Sequence, residues 1–475
     1  MMFKHFLAFV LGACCMVTAC RADEVLRIRS LNSVSNPADP GQSAGSFTGM
    51  RAVAERALNT NVVFVHGIGW TQQTGSSEFG DKLVDAIARG FPDAKIRPDS
   101  THCGTSSLDG RREFKSNKQG LRIYSAKPMA LTTDDPNFSV TVGELGCLDR
   151  RVVELRNGST ITIYRFLWDD AMWNGAEWFH MGYDDPLPSK NGEKIGHVGY
   201  DDPDSLRASL NSQLKNSVVT YGLTDAALYM SPVGGMMREG VQAAVCAALT
   251  GEFDTELQKG QSATASSLCA ATPTSQSPLF VVSHSLGSRI VFDTLISDLP
   301  TVLADRIEQG TSGSGIELHM FANQIPLVGV GRMGDTRSIR RIAGKQLKIV
   351  AYSEINDLLT FELVPYFEQL YYVRCYGPKA GDSTCSAGAV NEFTRRTSNF
   401  YEDQAERNKL VSDLGFDVVD VRLKYAPNQI SIYSGLKDPS IAHSGYIDRD
   451  VVLGMLLCGV ENGKPRASLA GCRGK

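Results

Sequence analysis

The sequence predicts an α/β protein with a mostly parallel central sheet flanked by helices, and three stretches carry that expectation. The apolar run Leu279 to Val282, bounded by Pro278, reads as a buried strand. Ile290, Val291, Phe292 and Leu295 then repeat at helical spacing, so strand gives way to helix within a few residues. Asn61-Val62-Val63-Phe64-Val65 is a second buried strand, followed through a glycine-rich turn by a helical pattern at about 79–88. Thr160 to Trp168, rich in Ile, Thr, Tyr and Phe, suits a pleated surface. A chain of 475 residues can bury a large core. A formal net charge of -4, with no stripe of Lys and Arg among aromatics, gives no reason to expect a nucleic-acid partner.

The N-terminus reads as a targeting segment. Met1 to Lys4 starts positive, Phe6 to Val17 is apolar but too short to span a bilayer, and small residues follow. Val17-Thr18-Ala19-Cys20 resembles the lipobox of bacterial lipoproteins. The resemblance implies a signal peptide over 1–19, a lipidated Cys20 as the mature N-terminus, and anchoring to a membrane leaflet. Arg21 stands where an Asp would favour the inner membrane, so the implied address is the outer membrane or surface. The alternative is an ordinary secretory signal cut near Ala22, giving a periplasmic or secreted protein. Beyond this segment no apolar run is long enough to cross a membrane.

Export gives the cysteines a role. Of 11, Cys14 and Cys15 would leave with the signal and Cys20 would carry lipid. Cys103, Cys147, Cys246, Cys269, Cys375, Cys385, Cys458 and Cys472 remain, an even set that reads as disulfides. Pairing of sequence neighbours would staple four insertions or tails, with Cys375 to Cys385 closing the shortest loop. No Cys-x-x-Cys occurs and no histidine lies at ligand spacing, so neither a metal nor another cofactor is expected.

Residues 20–60, polar and rich in Ser, Pro and Gly over 32–48, read as a linker ahead of a single domain over 61–475. The strand ending at Val65 runs into His66-Gly67-Ile68-Gly69-Trp70, whose glycines free the backbone to aim N–H groups outward. Leu121 to Tyr124 and Phe138 to Val142 look like strands without a catalytic signal. Residues 169–276 form the largest insertion. It follows Trp168, contains Trp173, Trp178 and Phe179, and repeats His180-Met-Gly-Tyr-Asp-Asp-Pro as His197-Val-Gly-Tyr-Asp-Asp-Pro. Helical patterns follow at Ser205 to Tyr221 and Gly235 to Leu249. The repeated Asp-Asp lacks the spaced ligands of a calcium loop and reads as solvent-facing turns.

At the strand-to-helix junction stands Ser283-His284-Ser285-Leu286-Gly287. Small residues two before and two after a serine permit a strained turn that lifts its hydroxyl above the sheet edge. The following helix points its N-terminus at the same place, which favours developing negative charge. This turn resembles the G-x-S-x-G elbow of the α/β-hydrolase superfamily, with Ser283 in place of the first glycine. Further stretches fit the same resemblance. His66-Gly67-Ile68-Gly69 matches the turn that lines the oxyanion hole, implying donors near Ile68 and Gly69 together with the Leu286 amide. After the strand Gln346 to Tyr352, Ser353-Glu354-Ile355-Asn356-Asp357-Leu358 offers two acids, of which Asp357 followed by apolar residues resembles the family's acid turn and Glu354 is the runner-up. Ile441-Ala442-His443-Ser444-Gly445 places a histidine in a small-residue loop before the apolar helix Val451 to Leu457.

The order Ser285, Asp357, His443 is the superfamily's chain order. The resemblance implies an exported esterase or lipase that acts on a small-molecule or lipid ester through an acyl-enzyme. It also implies that residues 169–276 form a cap over the site and that 368–426, with strand candidates at Asp417 to Leu423 and Gln429 to Tyr433, is a second insertion. The same machinery would serve a phospholipase, a thioesterase or an acyltransferase, and a non-catalytic envelope binding protein could keep the fold.

Overall fold

The computed structural model describes, apart from short gaps, residues 24–67, 76–103, 120–168, 224–296, 316–329, 347–376 and 414–472, together with a short antiparallel pair at Leu187–Pro188 and Lys194–Ile195. Eleven strands make one sheet. They are β1 (Glu24–Ser30), β2 (Asn59–Val65), β3 (Lys95–Ile96), β4 (Leu121–Thr132), β5 (Ser139–Glu154), β6 (Thr160–Leu167), β7 (Ser262–Thr264), β8 (Leu279–His284), β9 (Ile316–Phe321), β10 (Leu347–Glu354) and β11 (Asp417–Lys424). Their order across the sheet is β1-β11-β10-β9-β8-β2-β6-β5-β4-β7, with β3 paired to β5.

From β6 through β2, β8, β9 and β10 to β11 every neighbouring pair is parallel. Beyond β6 the long strands β5 and β4 run antiparallel, and β1 closes the other edge antiparallel to β11. The chain leaves β2 for β6 on one side and then returns to β8 on the other. The strand order therefore reverses at β2, where a crevice opens beyond the carboxyl ends of the strands.

Both faces of the parallel block are covered, which explains why its strands are unbroken apolar runs. Val63 and Val65 of β2 enter one core with Val241 and Val245 of α4 (Val233–Thr250) and Ile290 and Val291 of α7 (Leu286–Ile296). Val62 and Phe64 enter the opposite core with Leu83 and Ile87 of α2 (Ser76–Gly90) and Leu453 and Leu456 of α11 (Asp450–Cys458). At roughly 1.5–3 kcal/mol for each large apolar side chain fully buried, these two cores hold the sheet between its helices.

Three expected boundaries change. The linker expected over 20–60 contains β1 and α1 (Met50–Ala54), whose Met50 and Ala54 are buried. Arg27 and Arg29 tie β1 down by pairing with Glu362 and with the fully buried Glu368 at 2.7 and 2.8 Å. Within 169–276 the described stretch 224–270 packs on the sheet: α4 lies in the core below β2, and β7 extends the sheet beside β4. Its apolar composition reflects that burial, whereas Trp173, Trp178, Phe179, the Asp-Asp repeat and 205–221 lie outside the described residues. The insertion expected over 368–426 contains β11, which lies inside the sheet between β1 and β10.

Two disulfides join sequence neighbours, Cys103 to Cys147 and Cys246 to Cys269. Cys458 is also disulfide-bonded. The side chains of Cys375, Cys385 and Cys472, and the whole N-terminal segment with Cys20, lie outside the described residues. The bonded cysteines agree with an oxidising, exported environment. No described helix is long and apolar enough to cross a membrane.

Candidate active site

Ser285 sits between β8 and α7 with φ 55°, the left-handed region that a side chain rarely adopts. Its N–H donates to the carbonyl of Phe321, the last residue of β9, at 2.9 Å, which holds the turn against the neighbouring strand. Ala322, directly after β9, also has positive φ, 51°. Two of the four non-glycine positive-φ residues among those described thus lie in this crevice, and each such conformation costs on the order of 1–3 kcal/mol.

The glycines around the serine answer to space. A Cβ on Gly67 would lie 2.4 Å from the Cβ of Ser285, and one on Gly287 would lie 2.3 Å from the carbonyl oxygen of His66. No side chain fits at either place. Ser283, where the family pattern has glycine, is fully buried, and its hydroxyl meets that of Ser288 at 3.2 Å. The Ser283 side chain is therefore held by a hydrogen bond inside the turn.

Beneath the glycine turn, Trp168 is 1% exposed. Its backbone N–H donates to His66 Nε2 at 3.2 Å and its indole N–H donates to the His66 carbonyl at 3.1 Å. With Nε2 accepting, the proton of His66 is on Nδ1, which donates to the Gly67 carbonyl at 2.8 Å. Trp168 thus belongs to the floor of the turn rather than to a cap. Of the expected oxyanion donors, Leu286 is the first residue of α7, where an amide has no intrahelical acceptor. Ile68 and Gly69 lie outside the described residues.

Ser285, Asp357 and His443 come together from three separate elements. His443 lies in the last turn of a short helix, α10 (Pro439–Ser444), not in the loop that its small neighbours suggest. Its Nε2 is 2.8 Å from Ser285 Oγ, and its Nδ1 is 2.9 and 3.0 Å from the two carboxylate oxygens of Asp357. A carboxylate can only accept, so Nδ1 carries the proton and Nε2 is left to accept from the serine hydroxyl. The Asp357 carboxylate also accepts the Leu359 N–H at 3.0 Å and the Tyr446 hydroxyl at 3.3 Å. Its side chain is 1% exposed against 21% for that of His443, so the acid is sealed while the imidazole meets the crevice.

Glu354 does something else. Its carboxylate accepts the backbone N–H of Asn356, the Asn356 side-chain amide at 2.9 Å, and the N–H groups of Tyr425 and Ala426 at 3.2 and 3.3 Å. It ties the acid turn to the chain leaving β11.

Two further residues touch this set. His284 is half-buried, stacks on Phe79 at 4.6 Å and places its Nε2 2.9 Å from the His443 carbonyl, to which it donates. Burial, followed by the His443 charge, pushes its pKa down to about 3, so it stays neutral. Gln324, 1% exposed, donates from its side-chain amide to Ser285 Oγ at 2.9 Å. The sequence marks Gln324 only weakly, as half of a polar pair, Asn323-Gln324, between two apolar segments. No family model, curated protein or solved structure matches the chain.

Proposed function

We propose that the chain is a serine hydrolase of the α/β-hydrolase type that cleaves carboxylic esters through an acyl-enzyme, an esterase or lipase of the cell envelope. The observation that carries this reading is the unbroken relay of 2.8 Å from Ser285 Oγ to His443 Nε2 and 2.9 Å from His443 Nδ1 to Asp357. In the first half-reaction His443 takes the hydroxyl proton as Oγ bonds to the ester carbon, and the carbonyl electron pair moves onto oxygen. Asp357 holds the imidazole tautomer and offsets the positive charge that forms on the ring. The Leu286 amide faces the oxyanion, helped by the dipole of α7. The alcohol leaves with the proton from His443, and water then repeats the sequence to release the acid.

The strand order supports the α/β-hydrolase reading. Nucleophile and acid follow β8 and β10 of the parallel block and the histidine follows β11, and of these strands β8 lies beside β2 at the reversal point. The disulfides support export, and the lipobox-like Val17 to Cys20 supports a lipid anchor that would hold the enzyme beside lipid esters.

The test is labelling of the mature protein with a fluorophosphonate probe, wild type against Ser285→Ala, together with turnover of nitrophenyl esters of increasing acyl length. Labelling that disappears in the variant, with a chain-length optimum, is the expected result. A folded, disulfide-intact wild type that neither labels nor turns over any ester would end this reading in favour of a binding protein.

A further inference from the structure

We infer that Gln324 is a fourth catalytic residue, a hydrogen-bond donor to the reacting oxygen itself; this rests on the serine-hydrolase reading of the same site. Ser285 has one hydroxyl proton, and the 2.8 Å contact commits it to His443 Nε2. The group facing the lone pairs of Oγ must therefore donate, which fixes the carboxamide with its NH2 toward the serine at 2.9 Å. Glutamine and serine are each 1% exposed, so the bond is made away from bulk water.

The backbone is built to deliver this contact. Phe321 accepts the Ser285 N–H, Ala322 turns at φ 51°, and Asn323 donates from its side chain to the Phe361 carbonyl at 2.7 Å. The strained residue between two anchored ones folds the chain back so that Gln324 lies over the nucleophile. Gln324 immediately precedes the helix Ile325–Gly329 and accepts the Val328 N–H through its backbone carbonyl at 3.0 Å, while its side chain turns to the serine.

A donor at this oxygen is worth more as the reaction proceeds. A hydrogen bond to a neutral hydroxyl strengthens when the acceptor gains negative charge, and only interactions that strengthen toward the transition state accelerate chemistry. In acylation Oγ becomes more anionic as its proton passes to His443. In deacylation the bond from carbon to Oγ breaks, its electron pair stays on Oγ, and the proton returns from His443 Nε2. Gln324 steadies Oγ as attacking group in the first step and as leaving group in the second.

The test uses the full-length mature protein and measures fluorophosphonate labelling rate and ester kcat across pH for wild type, Gln324→Met and Gln324→Glu. Methionine keeps the volume and loses the donor, so kcat and labelling rate should fall about 10²-fold with KM little changed. Glutamate is acceptor-only when ionised but donates when protonated, so its rate relative to wild type should rise about tenfold between pH 8 and pH 5. A mainly structural role predicts a deficit that does not change with pH. A flat ratio for Gln324→Glu, or a Gln324→Met rate within about twofold of wild type, would overturn the inference. If the methionine variant does not fold, the glutamate ratio decides alone. A wild type that does not label at all would instead remove the serine-hydrolase reading.

Discussion

The parallel block from β6 to β11 and the antiparallel wing of β5 and β4 share one sheet but are held together differently. In the block, both faces of each strand are sealed by helices, and every group of the site hangs from its carboxyl-terminal edge. The wing also carries a cross-link. Of the two disulfides whose ends are both described, one lies there, joining the segment after β3 to β5, and the other joins α4, in the core below β2, to α6 (Ala265–Ala270). Its junction with the block is the buried Arg165 of β6, which donates to Asp149 of β5 at 2.6 and 2.7 Å and also pairs with Asp81 of α2. The strained turns that serve the chemistry therefore lie in the block, while the wing adds a covalent cross-link and a buried ion pair. Substitutions in the two halves should separate activity from stability.

The largest separation is expected at the two acids of the turn after β10. Asp357→Asn keeps the shape but removes the acceptor that sets the His443 tautomer, so kcat should fall on the order of 10⁴-fold with little change in unfolding midpoint. Glu354→Gln should do the reverse. It loses part of a cluster of four hydrogen bonds and should cost about 1–3 kcal/mol, measured by urea unfolding, while kcat changes far less. Equal losses of kcat in both variants would erase the distinction between the acids.

Gly67→Ala is the next step down. The added Cβ would stand 2.4 Å from Ser285 Cβ, so either the glycine turn or the nucleophile must shift. A displacement of this size should lower kcat on the order of 10²-fold, and fluorophosphonate labelling should fall with it.

This turn was legible in the sequence, and so was most of the parallel block. β2 and β8 are buried on both faces, which leaves an uninterrupted apolar run, and the glycines are dictated by close backbone approach. β11 was legible as a strand over Asp417 to Leu423, but its place inside the sheet was not, because its polar residues do work inside the fold. Asp420 accepts the N–H groups of Leu363 and Val364 at 2.8 and 2.7 Å, capping α9 (Leu363–Tyr376) from within the sheet. Burial raises its pKa to about 7 despite those bonds. β1 was hidden in the same way, since Arg27 and Arg29 read as solvent-facing until their partners more than 300 residues away are known. The choice between Asp357 and Glu354, and the contact of Gln324, depend on where side chains point across separate strands. No local pattern records that.

A smaller effect is expected from the disulfide between α4 and α6. Replacing Cys246 and Cys269 together by alanine opens a loop of 23 residues in sequence separation and should cost about 3–4 kcal/mol. At temperatures where the variant stays folded, kcat should match wild type, because neither cysteine reaches the crevice. Loss of kcat in step with stability would mean that this cross-link shapes the site.

The smallest expected effect lies at His284, where stability and chemistry meet. The unfolded chain takes up a proton on this imidazole near 6.5, and the folded protein resists it until about 3. The unfolded state binds more protons in that window, so folding stability falls as pH drops from 6.5 to 3, and this group adds no pH dependence above it. His284→Gln keeps a donor for the His443 carbonyl but cannot titrate. Its urea-unfolding free energy should therefore decline less steeply than that of wild type over this acid range. Kcat at neutral pH should stay within about tenfold, because the carbonyl of His443 remains held. Parallel stability curves for the two proteins would show that His284 charges in the folded state at ordinary pH, and that its seal against Phe79 is looser than the 4.6 Å stacking implies.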